Sequence, residues 1–265
     1  MTLRVAVGGA TGWTGAALCT ALRQCDDLEL RAGVSRTHAG RDLGEVIAGT
    51  VWDVPVVGDV ADALTDVDVY VDFTKHDVVK AHTLLAIERG VGVIVGASGL
   101  TATDYDEIAV AANRHEVGVI AAGNFAILAA LAQVAAVQVA AHVPTWEVID
   151  YASFTKPDVP SGTARELAEK LSAVHQPAIG VPVELIAGPS AARGADVDGT
   201  RVHSIRQPGF VVSTEVVFGL AGQRLTIRFD AGESPQPYVD GVLRAIRALP
   251  GRAGLTRGIE SLLQA

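Results

Sequence analysis

The sequence predicts an α/β fold: a doubly wound parallel sheet interrupted by an inserted α+β domain with a mixed or antiparallel sheet. Three observations carry this reading. β-Branched apolar runs alternate with segments of helical spacing through the first half of the chain. After Phe125 the texture changes, and an alanine-rich run gives way to strand-like pieces separated by short turn signals. A last helical segment, YVDGVLRAIRAL, has apolar positions spaced to pack back on the first half. Residues 1–126 with 234–265 are therefore expected to form one domain, and 127–233 a second.

Composition bounds the answer. With 265 residues, 49% of them hydrophobic and 19% charged, the chain can bury one or two cores. Its 30 acidic and 21 basic side chains give a net charge of −9, which offers no basic footprint for nucleic acid. No apolar run approaches the roughly 18 residues that span a bilayer. Met1 leads into a strand-like run within a few residues, without the pattern of a signal peptide. A soluble, cytoplasmic protein with no nucleic-acid or membrane partner is expected. Cys19 and Cys25 are the only cysteines; on one helix their separation gives roughly 9 Å of rise, too far for a disulfide. The histidines form no short-spaced cluster with cysteine or carboxylates, and the nearest pair, His76 and His82, suits neither a helical face nor a zinc loop. No metal is expected.

LRVAVGGATGWTGAALCTAL reads as strand, turn and helix. Gly9, Gly12 and Gly15 stand three apart directly after the strand, where a missing Cβ lets the backbone turn tightly and a pyrophosphate approach the helix N-terminus. That pattern points to a Rossmann-like dinucleotide-binding unit, with Thr11, Trp13 and Thr14 inside the same loop. Glycine at a plain strand-to-helix turn is the alternative. The second strand, LELRAGVS, ends at Ser35 and Arg36. NAD sites usually place an acid there for the ribose 2′-hydroxyl, whereas a serine and an arginine suit a 2′-phosphate. NADPH is the expected cofactor, with NADH possible; a solvated surface arginine is the alternative.

Three more strands follow, DVYVDFT (68–74), VGVIVGASG (91–99) and VGVIAAGNF (117–125), separated by the helical HDVVKAHTLLAIERG and TDYDEIAVAANRHE. Ligands of doubly wound sheets sit beyond the carboxyl ends of the strands. Phe73, Thr74, Gly96, Ala97, Ser98, Gly99 and Asn124 are thus expected to line one crevice, with Phe125 beside them.

In the second half, AILAALAQVAAVQVAAH reads as a helix, WEVIDYASF as a strand, and SGTARELAEKLSAVH as a helix with a Ser or Thr N-cap. TRVHSIRQPGFVVSTEVVFGLAGQRLTIRFD gives three strands broken by QPG and AGQ, consistent with antiparallel hairpins. A sheet with one helical face suits substrate binding and assembly. Within KPDVPSGTA, residues Ser161, Gly162 and Thr163 open the helix, so amides, hydroxyls and a positive dipole end converge on one small anion. Pro157 and Pro160 stiffen the approach. A bare helix cap beside a solvated Lys156 is the alternative.

In this order the pieces resemble the dihydrodipicolinate reductases of lysine biosynthesis, most nearly their actinobacterial members. The likeness runs almost end to end: the glycine loop at Gly9, Gly12 and Gly15, VDFT at 71–74, GASG at 96–99, GNF at 123–125, KPDVPSGTA at 156–164, ARGADVDG at 192–199 and VFGLAGQRLTIR at 217–228. It implies NAD(P)H-dependent reduction of a cyclic unsaturated dicarboxylate by a homotetramer. It also implies that Gly9, Gly12, Arg36, Phe73, Gly96 and Ser98 face the cofactor. Ser35, Thr74, Asn124 and Phe125 join that set. Lys156, Ser161, Gly162 and Thr163 would hold the substrate carboxylate and supply the proton, with Ser98 and Ser153 close to substrate.

One part of the pattern is missing. The family carries a pair of histidines four and three positions before the lysine and another just before it; here those positions hold Ala152, Ser153 and Thr155. Alanine donates no proton. Lys156 and Tyr151 remain as candidate donors, and the lost imidazoles imply a roomier, more apolar pocket suited to a related but different substrate. The expected function is therefore an NADPH-preferring reductase of a C=N or conjugated C=C bond in a small carboxylate-bearing molecule. Lysine biosynthesis itself, or a non-catalytic NADPH-binding protein, are the alternatives. A Tyr-x-x-x-Lys dehydrogenase is disfavoured, because Tyr151 to Lys156 is one residue too long.

Overall fold

Strands from the first half of the chain, with one from residues 254–257, pair side by side as a seven-stranded sheet. In the computed structural model, which describes residues 2–263, the chain divides into two units. One runs to Ile127 and resumes at Pro235; Leu128–Ser234 forms the other.

The first unit opens with β1 (Leu3–Gly8), α1 (Trp13–Leu22), β2 (Leu28–Val34), α2 (Leu43–Ala48), β3 (Val56–Val57) and α3 (Val60–Ala63). It continues with β4 (Val69–Asp72), α4 (Val79–Glu88), β5 (Gly92–Val95), α5 (Ala102–Arg114) and β6 (Gly118–Ala121). After the second unit it resumes with α8 (Gln236–Ala248) and β12 (Gly254–Arg257). The sheet order is β12-β6-β5-β4-β1-β2-β3, every pair parallel. Val5, Val7, Val69, Val71, Val93 and Ile94 are almost wholly buried. Helices cover both faces of such a sheet, so its central strands read as continuous apolar runs rather than alternating ones. The chain winds outward in opposite directions from β1 and β4, and this reversal leaves a crevice at their carboxyl ends. α2, β3, α3 and β12 are additions to the sequence expectation; each has at most six residues, too few for a period to register.

The second unit contains α6 (Ile127–Ala140, whose first residue belongs to the other unit), β7 (Trp146–Ala152), α7 (Gly162–Val174), β8 (Ala195–Val197), β9 (Thr200–Arg206), β10 (Val212–Leu220) and β11 (Gln223–Asp230). Its sheet order is β11-β10-β7-β9-β8. β10 and β11 form the expected antiparallel hairpin. The expected hairpin of β9 with β10 is corrected: β7 lies between them, antiparallel to β10 and parallel to β9. Residues 207–211 therefore cross two strand spacings, roughly 10 Å. They are pinned to the end of β7, where Gln207 N–H donates to the Ala152 carbonyl at 3.2 Å and Ser153 N–H donates to the Val211 carbonyl at 3.3 Å.

Alternation along β7 sends Trp146, Val148, Asp150 and Ala152 inward, and leaves Glu147, Ile149 and Tyr151 half-buried on the other face. Trp146 and Val148 join Val202, Val216 and Phe218 against Ala164, Leu167, Ala168 and Leu171 of α7 and Ala136 and Ala140 of α6. Truncating a residue such as Leu171 to alanine in this core costs about 2–5 kcal/mol. No helix among the described residues is long and apolar enough to cross a membrane.

Candidate active site

The nucleotide side is built on glycines. Gly9 has φ +70°, and a Cβ there would meet the Phe73 carbonyl carbon at 2.8 Å. Gly12 N–H donates to the Gly9 carbonyl at 2.9 Å, and a Cβ on Gly15 would enter that same carbonyl. Gly12 is the N-cap of α1 and brings no side chain to cap it. The positive end of α1 thus faces a loop stripped of side-chain bulk, which fits a pyrophosphate.

A cleft of about 430 Å³ lies at the switch point, lined by Gly9, Thr11 and Gly12 after β1, Ser35 and Arg36 after β2, and Phe73 and Thr74 after β4. Ser35 Oγ lies 3.0 Å from Thr11 Oγ1 and joins the first two loops. Asp59, Lys75 and His82 also line this cleft, although the sequence reading did not select them. Asp72, buried at the end of β4, fixes the turn: it accepts from Thr74 N–H at 2.7 Å and lies 3.2 Å from His82 Nδ1. Of the strand-end residues expected to line one crevice, Phe73 and Thr74 line this cleft. Gly96, Ala97, Ser98 and Gly99 follow β5, and Asn124 and Phe125 come after β6, at the carboxyl ends of the strands next in order to β4. Phe73 links the two sets, because a Cβ on Gly96 would enter its ring and the Phe125 ring meets it edge-on at 6.4 Å. Asn124 Oδ1 accepts from Ala126 N–H at 2.8 Å and shapes the turn after β6. Ser98 is exposed. Trp13, half exposed at the start of α1, meets Tyr238 edge-on at 5.9 Å, and Thr14 follows it.

The turn between β7 and α7 is anchored on Asp150. Its carboxylate has no exposed surface and accepts from Ser161 N–H at 2.9 Å, Ser161 Oγ at 2.6 Å, Ser204 Oγ at 3.0 Å and Arg206 Nη2 at 2.8 Å. The same Arg206 Nη2 donates to the Asp158 carbonyl at 2.7 Å. Ser161 caps α7 by accepting from Ala164 N–H at 3.3 Å. Its hydroxyl proton and its N–H are both spent inside the protein, so Ser161 shapes the turn instead of presenting a donor to a ligand. Half-exposed Gly162 and buried Thr163 carry the next amides at the positive end of α7. Lys156 Nζ lies 2.9 Å from Asp158 Oδ1 and keeps about a quarter of its side chain exposed. Its N–H donates to the Ser153 carbonyl at 2.9 Å, and Ser153 Oγ lies 3.1 Å from Thr155 Oγ1, closing a tight turn after β7. The Val159–Pro160 peptide is cis.

Two expectations change here. Tyr151 does not join this cluster, because strand alternation puts it on the opposite face, where its hydroxyl donates to Glu215 Oε2 at 3.1 Å. Position 152 is not a roomier pocket either, since Ala152 has no exposed surface. The residues missed by the sequence reading, Asp150, Ser204 and Arg206, carried a usable signal. Each is polar at an inward phase of a strand: Trp146-Val148-Asp150 on β7, Val202-Ser204-Arg206 on β9. No group of three or more His, Cys, Asp or Glu residues among those described could hold a metal.

Comparison with known proteins covers the whole chain. The family models described as "Dihydrodipicolinate reductase, N-terminus" and "Dihydrodipicolinate reductase, C-terminus" match residues 3–125 and 123–263. The 4-hydroxy-tetrahydrodipicolinate reductase of Nocardia farcinica is 38% identical, with 99% of each chain covered. That of Geobacillus kaustophilus is 35% identical, with 100% of each covered. The dipicolinate-bound dihydrodipicolinate reductase from Paenisporosarcina sp. TG-14 superposes with a TM-score of 0.74 at 29% identity, over 98% of this chain and 99% of that one.

Proposed function

Because the chain belongs to the dihydrodipicolinate reductase family, and is thereby an NAD(P)H-dependent oxidoreductase, we propose that it reduces a C=N or conjugated C=C bond in a small cyclic carboxylate, using NADPH. The observation that carries this reading is the anion turn, held complete by Asp150 and Arg206 with Lys156 in place. It stands beside a strand end in which Ala152, Ser153 and Thr155 supply no imidazole.

When bound, the reduced nicotinamide supplies the hydride. Gly9, Gly12 and Gly15 with the positive end of α1 hold the pyrophosphate. Arg36 and Lys75, two cations against the single carboxylate of Asp59 in the same cleft, favour a ribose 2′-phosphate. In the second unit the amides of Gly162 and Thr163 and the Lys156 ammonium hold the substrate carboxylate. As hydride adds to carbon, the C=N electron pair moves to nitrogen; an iminium becomes a neutral amine with no further proton, so no imidazole is required. A conjugated C=C bond leaves a carbanion, and Lys156 is the donor that protonates it. The half-buried Ile149, Tyr151 and Val217 and the exposed Ile205 on the outer face of the second sheet support homo-oligomeric assembly, a tetramer by family likeness.

Reduction of 4-hydroxy-tetrahydrodipicolinate is a second reading, favoured by the full-length relatives that carry that name. NADPH oxidation by the purified protein, with that compound and with a panel of cyclic imine acids, separates the two. Lys156→Ala is expected to abolish turnover of the accepted substrate, by roughly 10²-fold or more, with NADPH affinity unchanged. A parent protein that oxidises NADPH with none of them sinks both readings; equal loss of turnover and cofactor binding in the variant sinks the role given to Lys156.

A further inference from the structure

We propose that Asp150, which has no exposed surface, and Arg206, whose Nη2 is taken up by Asp150 and the Asp158 carbonyl, are positioning residues that set the geometry of the anion-binding turn. The inference rests on the proposed function, since it concerns the same site. The Asp150 carboxylate accepts from four donors, three of them (Ser161 N–H, Ser204 Oγ–H and Arg206 Nη2) on Oδ2 and the fourth, Ser161 Oγ–H, on Oδ1. Two of those come from Ser161, the residue immediately before Gly162, and Ser161 Oγ in turn accepts from Ala164 N–H, the residue immediately after Thr163. The backbone of Gly162 and Thr163 is therefore held from both sides by one chain of hydrogen bonds that starts at Asp150. Each link polarises the next.

Arg206 extends this control to Lys156. Its Nη2 bridges the Asp150 carboxylate and the Asp158 carbonyl, and Asp158 Oδ1 pairs with Lys156 Nζ. One guanidinium thus ties the end of the turn that carries the lysine to the end that carries the amides. It also cancels the charge of a carboxylate that would otherwise repel an anion bound nearby. The arrangement leaves Arg206 Nε and Asp158 Oδ2 buried with no hydrogen-bond partner among the described residues. Native proteins rarely keep such atoms without a compensating function, and an apolar pair would fill the same space without that penalty.

Calorimetric titration of the full-length protein with dipicolinate, alongside NADPH titration, tests this. Asp150→Asn keeps the shape of the side chain but accepts on one oxygen only. The double variant Asp150→Asn with Arg206→Met removes both charges together, so that neither is left buried alone. Each is expected to weaken dipicolinate binding at least tenfold while the NADPH Kd stays within twofold. The double variant is expected to keep the parent's thermal midpoint. Binding lost at unchanged stability is a result that a purely structural role does not produce. Should either variant fail to fold, Ser204→Ala, which removes one donor from Asp150, is expected to weaken dipicolinate about threefold. Folded variants that bind dipicolinate like the parent overturn the positioning role alone. A parent that binds neither dipicolinate nor any cyclic imine acid overturns the functional reading, and this inference with it.

Discussion

The Tyr151 hydroxyl donates to Glu215 Oε2 at 3.1 Å, on the face of β7 that points away from Asp150. The Arg228 guanidinium lies over the same ring, 4.7 Å from its centre. Burial and the Glu215 carboxylate both push the Tyr151 hydroxyl above its ordinary range, which makes it a poorer acid as well as a remote one. Tyr151→Phe is accordingly expected to keep kcat within about threefold and leave its pH profile unchanged. A drop of roughly 10²-fold, the range of a lost general acid, would return Tyr151 to the chemistry.

Arg36 and Lys75 share the cleft with Asp59. If Arg36 reads the 2′-phosphate as proposed, Arg36→Asp exchanges that cation for an acceptor of the ribose hydroxyl, and the NADPH-to-NADH affinity ratio should fall by roughly 10²-fold, about 3 kcal/mol. Fluorescence titration with both cofactors gives the ratio; an identical value in parent and variant removes Arg36 from cofactor choice.

A Cβ on Gly15 would run into the Gly9 carbonyl and the Ala10 backbone. In Gly15→Ala the new methyl has only backbone to displace, so the loop must open. A loss of about 1–3 kcal/mol in stability and at least tenfold in NADPH affinity is expected. Gly180→Ala serves as the control, because a Cβ there meets nothing within 4 Å. Equal behaviour of the two variants in chemical denaturation and cofactor titration refutes the close packing.

Asp104 carries the pH prediction. The Lys80 ammonium at 2.8 Å, then the Thr101 N–H and hydroxyl, hold its carboxyl down to about 2 from an ordinary 3.8. A carboxylate depressed on folding stabilises fully above its unfolded value and loses that contribution as pH falls through the folded one. The acid limb between about pH 4 and pH 2 should therefore be shallower in Asp104→Asn. Carbon NMR titration of the Asp104 carboxyl gives the midpoint directly, and a midpoint near 4 contradicts the assignment.

The parallel sheet and the glycine loop were legible in the sequence because both are local. Val5 to Gly8 and Gly9 to Gly15 state their conformation within a dozen residues. The pairing of β9 with β7 was not legible: QPG reads as a hairpin turn, and only the competing demand of β7 for two partners shows that the chain crosses over instead. The same limit governs the site. Ser161 and Lys156 stand in one recognisable string, whereas Ser204 and Arg206 reach Asp150 from more than fifty residues away. Ala152 exposes a different limit, since the sequence records a missing imidazole but not whether its space stays open.

The interrupted first unit also dictates an order of events during synthesis. Every strand of the second sheet has been made by Asp230, but the first sheet lacks β12, and α1 lacks its neighbour α8, until residues beyond Pro235 emerge. On the ribosome the inserted unit can close while its host is still open at one edge. The part of the chain that begins first is the part that finishes last.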